Sequence, residues 1–270
     1  MPTTTPSAPC ARSIPRTREP RAREVNEAEL RATLCEFREL TGEDWKRPTT
    51  CKGWTVRDML AHIVGQYEEL PRPWVALRRI RRARRAHPDL GPLDGHNESQ
   101  IEDRRAIPGQ ELIGELADYA PQGLRALRRM PPQLRRTVRL SLLYPEAKAL
   151  PEDSMDYLNN VLVARDTWMH RVDLSDATGA ELTVDAHDKE IVNQVVLDLA
   201  LAWTGPAAEL NLHGPAGSSH LLGTGTPAAT LHADAIAFAR HLSGRPPRGG
   251  LEMDGEPEAQ IALTEARVLF

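Results

Sequence analysis

The segment RDTWMHRVD, Arg165 to Asp173, sets Asp166 four residues before His170 and Asp173 three residues after it. On a helix of 3.6 residues per turn, an acid and an imidazole four apart share one face and can both donate to one metal ion. An intrahelical Asp–His hydrogen bond satisfies the same spacing, so the pair alone leaves both readings open. In this projection Asn159, Leu162, Val163, Asp166, His170, Asp173 and Ala177 fall within an arc of about 100°, with Val161, Arg165, Trp168 and Val172 opposite. A third donor would turn the pair into a tripod, and His62 in MLAHIVG is the candidate. Helical arithmetic puts it at the rim of an apolar stripe of Val56, Met59, Leu60, Ile63 and Tyr67, where Asp58 is a rival local partner.

Helices must position these groups, and apolar spacing supplies them. NEAELRATLCEFREL places Leu30, Leu34, Phe37 and Leu40 three or four apart, the pattern of an amphipathic helix. A second helix is expected in GWTVRDMLAHIVGQYEEL, with Thr55 as N-cap, Asp58 completing a capping-box arrangement, and Pro71 and Pro73 ending or kinking it. Further helical stretches are expected over 109–129, which contains Pro121, and over 155–178 and 185–202. After Gly205 the texture changes. AELNLHG, SSHLLGTG and AATLHAD alternate between Gly and Pro breaks as hairpin-linked strands do. HADAIAFARHLSGR reads as a helix closed by Gly244, GGLEMDG as another strand, and EPEAQIALTEARVLF as a terminal helix packed on the sheet. The expected class is α+β, with a helical bundle over 24–204 and a small mixed α/β domain over 205–270.

Residues 1–23 hold five prolines and five arginines, lack the apolar core of a secretory signal, and read as a disordered tail. A chain of 270 residues suits two modest domains, and no run approaches the roughly 18 apolar residues a membrane span needs. The formal net charge of −4 gives no global field toward nucleic acid. The local exception, LRRIRRARR with six arginines, has only Trp74 near it and reads as a solvated helix face. Cys10, Cys35 and Cys51 form no C-x-x-C pair and leave one unmatched, which fits a reducing cytoplasm. His187, His213, His220, His232 and His241 show no ligand spacing, although His213 and His232 could line a cleft. No Gly-rich phosphate loop and no G-x-S-x-G elbow occurs.

Taken in order, WKRPTTCKGWTVRDMLAHIVG and the later RDTWMHRVDLSDATG resemble the mycothiol-dependent maleylpyruvate isomerase family. These are metal enzymes with a DinB-like four-helix bundle and a small C-terminal domain similar to sterol carrier proteins, to which LNLHGPAGSSHLLGTGTPAATLHADAIAFARHLSGR corresponds. The resemblance covers nearly the whole chain after about residue 24 and implies zinc ligands at His62, Asp166 and His170. The family's carboxylate is Glu, so Asp166 is a departure that shortens one ligand. Two imidazoles and a carboxylate leave a position open for water or substrate, and the same set serves non-haem Fe(II), so ligand type leaves the divalent metal open between zinc and iron. Asp173 is expected either to orient a ligand histidine or to pair with Arg165 or Arg171. Arg245, in LSGR, resembles an arginine of the C-terminal domain that reaches the substrate, and its planar fork suits a carboxylate.

The resemblance implies isomerisation of, or thiol transfer to, a small electrophilic carboxylate, with mycothiol as cofactor or co-substrate. In the isomerase reaction a thiolate adds to a cis double bond, the resulting single bond rotates, and elimination releases the trans product. None of the three cysteines lies in a segment expected at the metal, so the sulfur nucleophile is expected from outside the chain. The expected partners are that thiol and a small substrate, with no nucleic acid or membrane, in a monomer or homodimer. A thiol-independent metal enzyme of specialised metabolism and a non-catalytic small-molecule binder are alternatives that the same fold permits.

Overall fold

The computed structural model of the chain describes residues 8–246 and 249–270. Contacts divide it into Ala22–Leu182 and a second unit of Met1–Arg21 with Thr183–Phe270. The class is α+β, as expected.

In the first unit run α1 (Arg21–Arg38), α2 (Val56–Glu69), α3 (Pro73–Ala86), α4 (Pro92–Glu102), α5 (Gly109–Arg129), α6 (Pro132–Thr137), the short α7 (Met155–Tyr157) and α8 (Val163–Thr178). Four of them build one core. Leu30 and Phe37 of α1, Val56 to Tyr67 of α2, Leu112 to Leu127 of α5, and Val163 and Leu174 of α8 form a single buried cluster. Thr55 caps α2 as expected, its hydroxyl accepting from the Asp58 backbone while the Asp58 carboxylate accepts from the Thr55 backbone. A cap of this kind contributes about 1 kcal/mol. It also fixes where the helix begins, and therefore where His62 points.

Two features of this unit differ from expectation. The 155–178 stretch is not one regular helix, because a π turn occupies Leu158–Leu162 and shifts the register ahead of α8. Asn159 and Leu162 therefore leave the arc projected for them, whereas Asp166 and His170 lie beyond the turn in regular α-helix. The arginine-rich stretch is only partly a solvated face. Arg79 of α3 is 2% exposed and bonds to Glu68 at 2.6 Å, Glu69 at 2.8 Å and Asp103 at 2.7 Å, while Arg78, Arg81, Arg84 and Arg85 are exposed.

The second unit contains α9 (Ala186–Ala202), β1 (Ala208–His213), β2 (Ser219–Leu222), β3 (Ala229–Asp234), α10 (Ala235–Leu242), β4 (Glu252–Gly255) and α11 (Pro257–Glu265). Strand order is β2-β1-β3-β4, with β1 and β3 parallel and both outer pairs antiparallel. α10 is closed by Gly244 at φ +81°, a conformation that favours glycine. The boundary expected at residue 204 lies instead near residue 183, because α9 packs on α10 and on a short turn at Ala11–Ser13. That turn also revises the expected tail. Residues 1–7 lie outside the described residues, but from residue 8 the chain follows α9 and β2. There Ala11 and Thr17 are buried, Leu221 N–H donates to the Pro9 carbonyl, and Arg16 pairs with Asp198 at 2.6 Å. Proline-rich composition signals disorder only where no partner surface exists, and composition cannot see tertiary partners.

Candidate metal centre

α2 and α8 bring His62, Asp166 and His170 together. His62 Nε2 lies 3.8 Å from Asp166 Oδ2, and His170 Nε2 lies 3.8 Å from Asp166 Oδ1. One donor atom from each lies within 4.8 Å of the others. A tetrahedral ion with bonds of about 2.1 Å holds its ligands about 3.4 Å apart, so the two histidine–carboxylate separations are close to what one ion requires. The shorter Asp166 still comes near both rings, one carboxylate oxygen toward each. His62 is not at a rim. It is 2% exposed, and its expected rival Asp58 is engaged by Thr55 and by Arg57 at 2.6 Å.

Each donor residue has a further polar partner. Gln66 donates to Asp166 Oδ2 at 2.7 Å, and His62 Nδ1 meets Gln100 Oε1 at 2.7 Å. Asp173 is fully buried, and its Oδ2 lies 3.3 Å from His170 Nδ1 while its Oδ1 accepts from the Thr50 hydroxyl. Of the two arginines expected to compete for Asp173, Arg171 bonds Glu29 and Glu36, each at 2.9 Å. The loop before α2 lies over the rings. The Trp54 ring is centred 5.1 Å from that of His62 and 6.1 Å from that of His170, and its N–H donates to Glu98 at 2.6 Å.

Cys51 requires a correction. The sequence placed no cysteine at the metal, yet Cys51 Sγ lies 3.6 Å from Asp173 Oδ2 and 3.9 Å from His170 Nδ1. A turn through Gly53 at φ +84° folds the loop back, so distance along the chain from α2 was a poor guide to distance in space. The sulfur meets Nδ1, the ring nitrogen turned away from Asp166, and so lies behind His170 and outside the tripod. Arg245 belongs to the other unit, where it follows α10 and its backbone N–H donates to the Arg240 carbonyl at 3.0 Å. His213 and His232 are exposed residues of that unit.

The electrostatics of the cluster are those of an acid–imidazole set. Burial opposes ionisation of Asp166, but His170, His62 and Gln66 outweigh it and hold the carboxyl down at about 2. Burial likewise disfavours a charged His170, but Asp166, Asp173 and Cys51 raise it from 6.5 to about 10. The sign follows from linkage. A group raised on folding contributes stability fully below its unfolded value and loses that contribution as pH rises through the folded one. Metal-free protein should therefore lose thermal stability between pH 6.5 and about 10, as read by Tm against pH in chelator. A metal ion, which needs the neutral ring, should flatten that slope.

A family model for the mycothiol maleylpyruvate isomerase N-terminal domain matches residues 27–175, more than half of the chain. The chain belongs to this family. The matched segment contains all of His62, Asp166, His170 and Asp173. Two solved structures share the fold of this family member. One is a crystal structure of the mycothiol-dependent maleylpyruvate isomerase at 15% identity, and the other is a histidine-to-alanine variant of that enzyme at 16%. Each aligns with a TM-score of 0.57 over 88% of this chain and 94% of the other. Comparison with curated proteins gives no match.

Among the residues around the centre, sequence reading missed Gln66, Gln100, Thr50, Trp54 and Cys51. Gln66 alone carried a signal, standing four residues after His62 on the same helical face. Gln100 carried none, because α4 has the sequence PLDGHNESQIE, without apolar periodicity, and no helix was expected there.

Proposed function

We propose that this protein is a divalent-metal enzyme of the maleylpyruvate isomerase type, taking a low-molecular-weight thiol such as mycothiol and a small electrophilic carboxylate with a cis double bond. The observation that carries the reading is the convergence of two imidazoles and one carboxylate, each held by a further buried or half-buried polar partner, inside the segment that defines the family. His62, Asp166 and His170 would hold the metal, with zinc the expected ion. A divalent ion bound there supplies Lewis acidity that lowers the pKa of a thiol brought to it.

The chain's own residues do the remainder. Asp173 keeps the His170 ring in orientation, while Gln66, whose amide nitrogen lies on Asp166 Oδ2 and near His62 Nε2, holds the carboxylate and would give way as an ion loads. Trp54 limits water at the ring faces and leaves the two Nε2 atoms turned toward Asp166. Addition of the external thiolate to one alkene carbon turns the double bond into a single bond. The displaced electron pair rests on the conjugated carbonyl oxygen while the single bond rotates, and its return expels the same thiolate and leaves the trans isomer. Arg245 is assigned to the substrate carboxylate on the chemistry of its planar fork.

Elemental analysis of the purified protein tests the reading. About one divalent ion per chain is expected, and Arg245→Lys should weaken turnover of an anionic substrate without changing that content. Metal at background level in protein expressed with ample zinc would overturn the assignment, and unchanged kinetics in Arg245→Lys would remove the arginine's role.

A further inference from the structure

Behind His62 a chain of buried polar side chains runs away from the tripod, and its donors and acceptors can be assigned from the far end. Glu69 is a carboxylate and can only accept. Arg79 Nη1 donates to its Oε1 at 2.8 Å, and His96 Nε2 stands 2.9 Å from the same oxygen. The Gln100 amide nitrogen donates to Oε2 at 3.1 Å. That bond fixes which end of the Gln100 amide faces which neighbour. The carboxylate takes the NH2 group, so the oxygen faces His62 Nδ1 at 2.7 Å. An amide oxygen only accepts, so Nδ1 must carry the proton, and in the neutral ring Nε2 is then the lone pair on the side of Asp166. A second contact agrees with this assignment. The Gln66 amide nitrogen, itself a donor, approaches His62 Nε2 at 3.5 Å.

The same logic runs outward from Glu69. His96 donates through Nε2, so its Nδ1 accepts the Tyr144 hydroxyl at 2.6 Å. His62, Gln100 and His96 are each 2–3% exposed and Glu69 is 9% exposed, so water is not available to reverse any member of the chain. The backbone is shaped to allow it. A Cβ at Gly65 of α2 would stand 2.6 Å from the Gln100 Cβ, so the glycine lets α4 approach closely enough for Gln100 to reach His62.

We infer that Gln100 and Glu69 are positioning residues that set the tautomer of His62 and thereby present the Nε2 lone pair a metal requires. Gln100 acts by direct contact, and Glu69, which does not touch His62, acts by orienting Gln100. The inference rests on the metal reading above for its consequence, but its first observable exists without any metal.

Two measurements test it together. Long-range 1H–15N correlation on metal-free protein in mildly alkaline buffer reads the His62 tautomer, with the signal assigned by its loss in His62→Gln. Competition against a zinc chelator reads affinity. Wild type is expected as the Nδ1–H form. Gln100→Met should show mixed tautomers and bind zinc about 10–100-fold more weakly, the range found when an outer partner of a ligating histidine is removed. Glu69→Gln, whose amide no longer dictates which way Gln100 faces, should move both readouts in the same direction by less. A purely structural role would lower Tm and leave the tautomer alone. An Nε2–H ring in wild type, or an unchanged tautomer in folded Gln100→Met, overturns the inference. If Gln100→Met does not fold, Glu69→Gln with both readouts unchanged overturns it equally. Wild-type protein that shows the Nδ1–H ring but binds no zinc sustains the tautomer assignment and overturns the metal reading instead.

Discussion

His170→Ala should abolish metal retention, weakening zinc binding by more than the roughly 100-fold that loss of an outer partner costs. His170 is central because both of its nitrogens are engaged, Nε2 toward Asp166 at 3.8 Å and Nδ1 toward Asp173 at 3.3 Å. Its removal takes away one ligand and leaves two acids facing each other without the imidazole between them. His62→Ala should also lose the metal, but without the second effect, since no acid depends on its Nδ1. The prediction is checked by elemental analysis after dialysis, beside a Tm measured with and without added zinc. The zinc-dependent rise in Tm should disappear in both variants. A metal-dependent rise that persists in His170→Ala would place the ion elsewhere.

Arg171→Met should destabilise the protein by about 3–5 kcal/mol, the cost of breaking a buried ion pair by removing one partner. Arg171 and Glu29 have side chains 0% and 1% exposed, and the guanidinium bonds both Glu29 oxygens, at 2.9 and 3.1 Å, as well as Glu36. Truncation strands an acid where water does not reach it. The matching change on the exposed face of α3, Arg78→Met, should stay within about 0.5 kcal/mol, as surface substitutions do. Urea midpoints for the two variants make the comparison. Similar small shifts in both would show that burial of the Arg171 cluster is overstated.

These two arginines also show where the sequence was legible. Arg171 sits next to His170 in a helix whose residues from Val163 to Ser175 are all buried except Asp166, and local pattern offers no sign that an arginine will be buried unless its distant acids are known. What depends on neighbours along the chain was read correctly. The Thr55 cap and Asp58 box, the i, i+4 relation of Asp166 and His170, and the strands after Gly205 are all local, and all appear in the fold, although only β1 and β2 form the expected hairpin and β3 joins β1 in parallel. What depends on tertiary approach was not. Gln100 reaches His62 from α4, an element with no periodic signal, and Cys51 reaches Asp173 because a turn reverses the loop. The π turn at Leu158–Leu162 is a register change within one apolar run, and a projection at 3.6 residues per turn cannot represent it. The N-terminal segment failed for the opposite reason. Its composition is that of a disordered tail, and only the buried Asp198 and Gln194 that receive Arg16 explain its path.

The central claim, a metal enzyme that borrows its sulfur from a small thiol, is tested most directly by turnover of maleylpyruvate on zinc-loaded protein with and without mycothiol. Because Cys51 lies beside His170, the measurement should be made on wild type and on Cys51→Ser in parallel. Turnover that requires added mycothiol, and survives in Cys51→Ser, is the expected result. Equal rates with and without the thiol in wild type would contradict it, and their collapse in Cys51→Ser would identify the nucleophile as the protein's own.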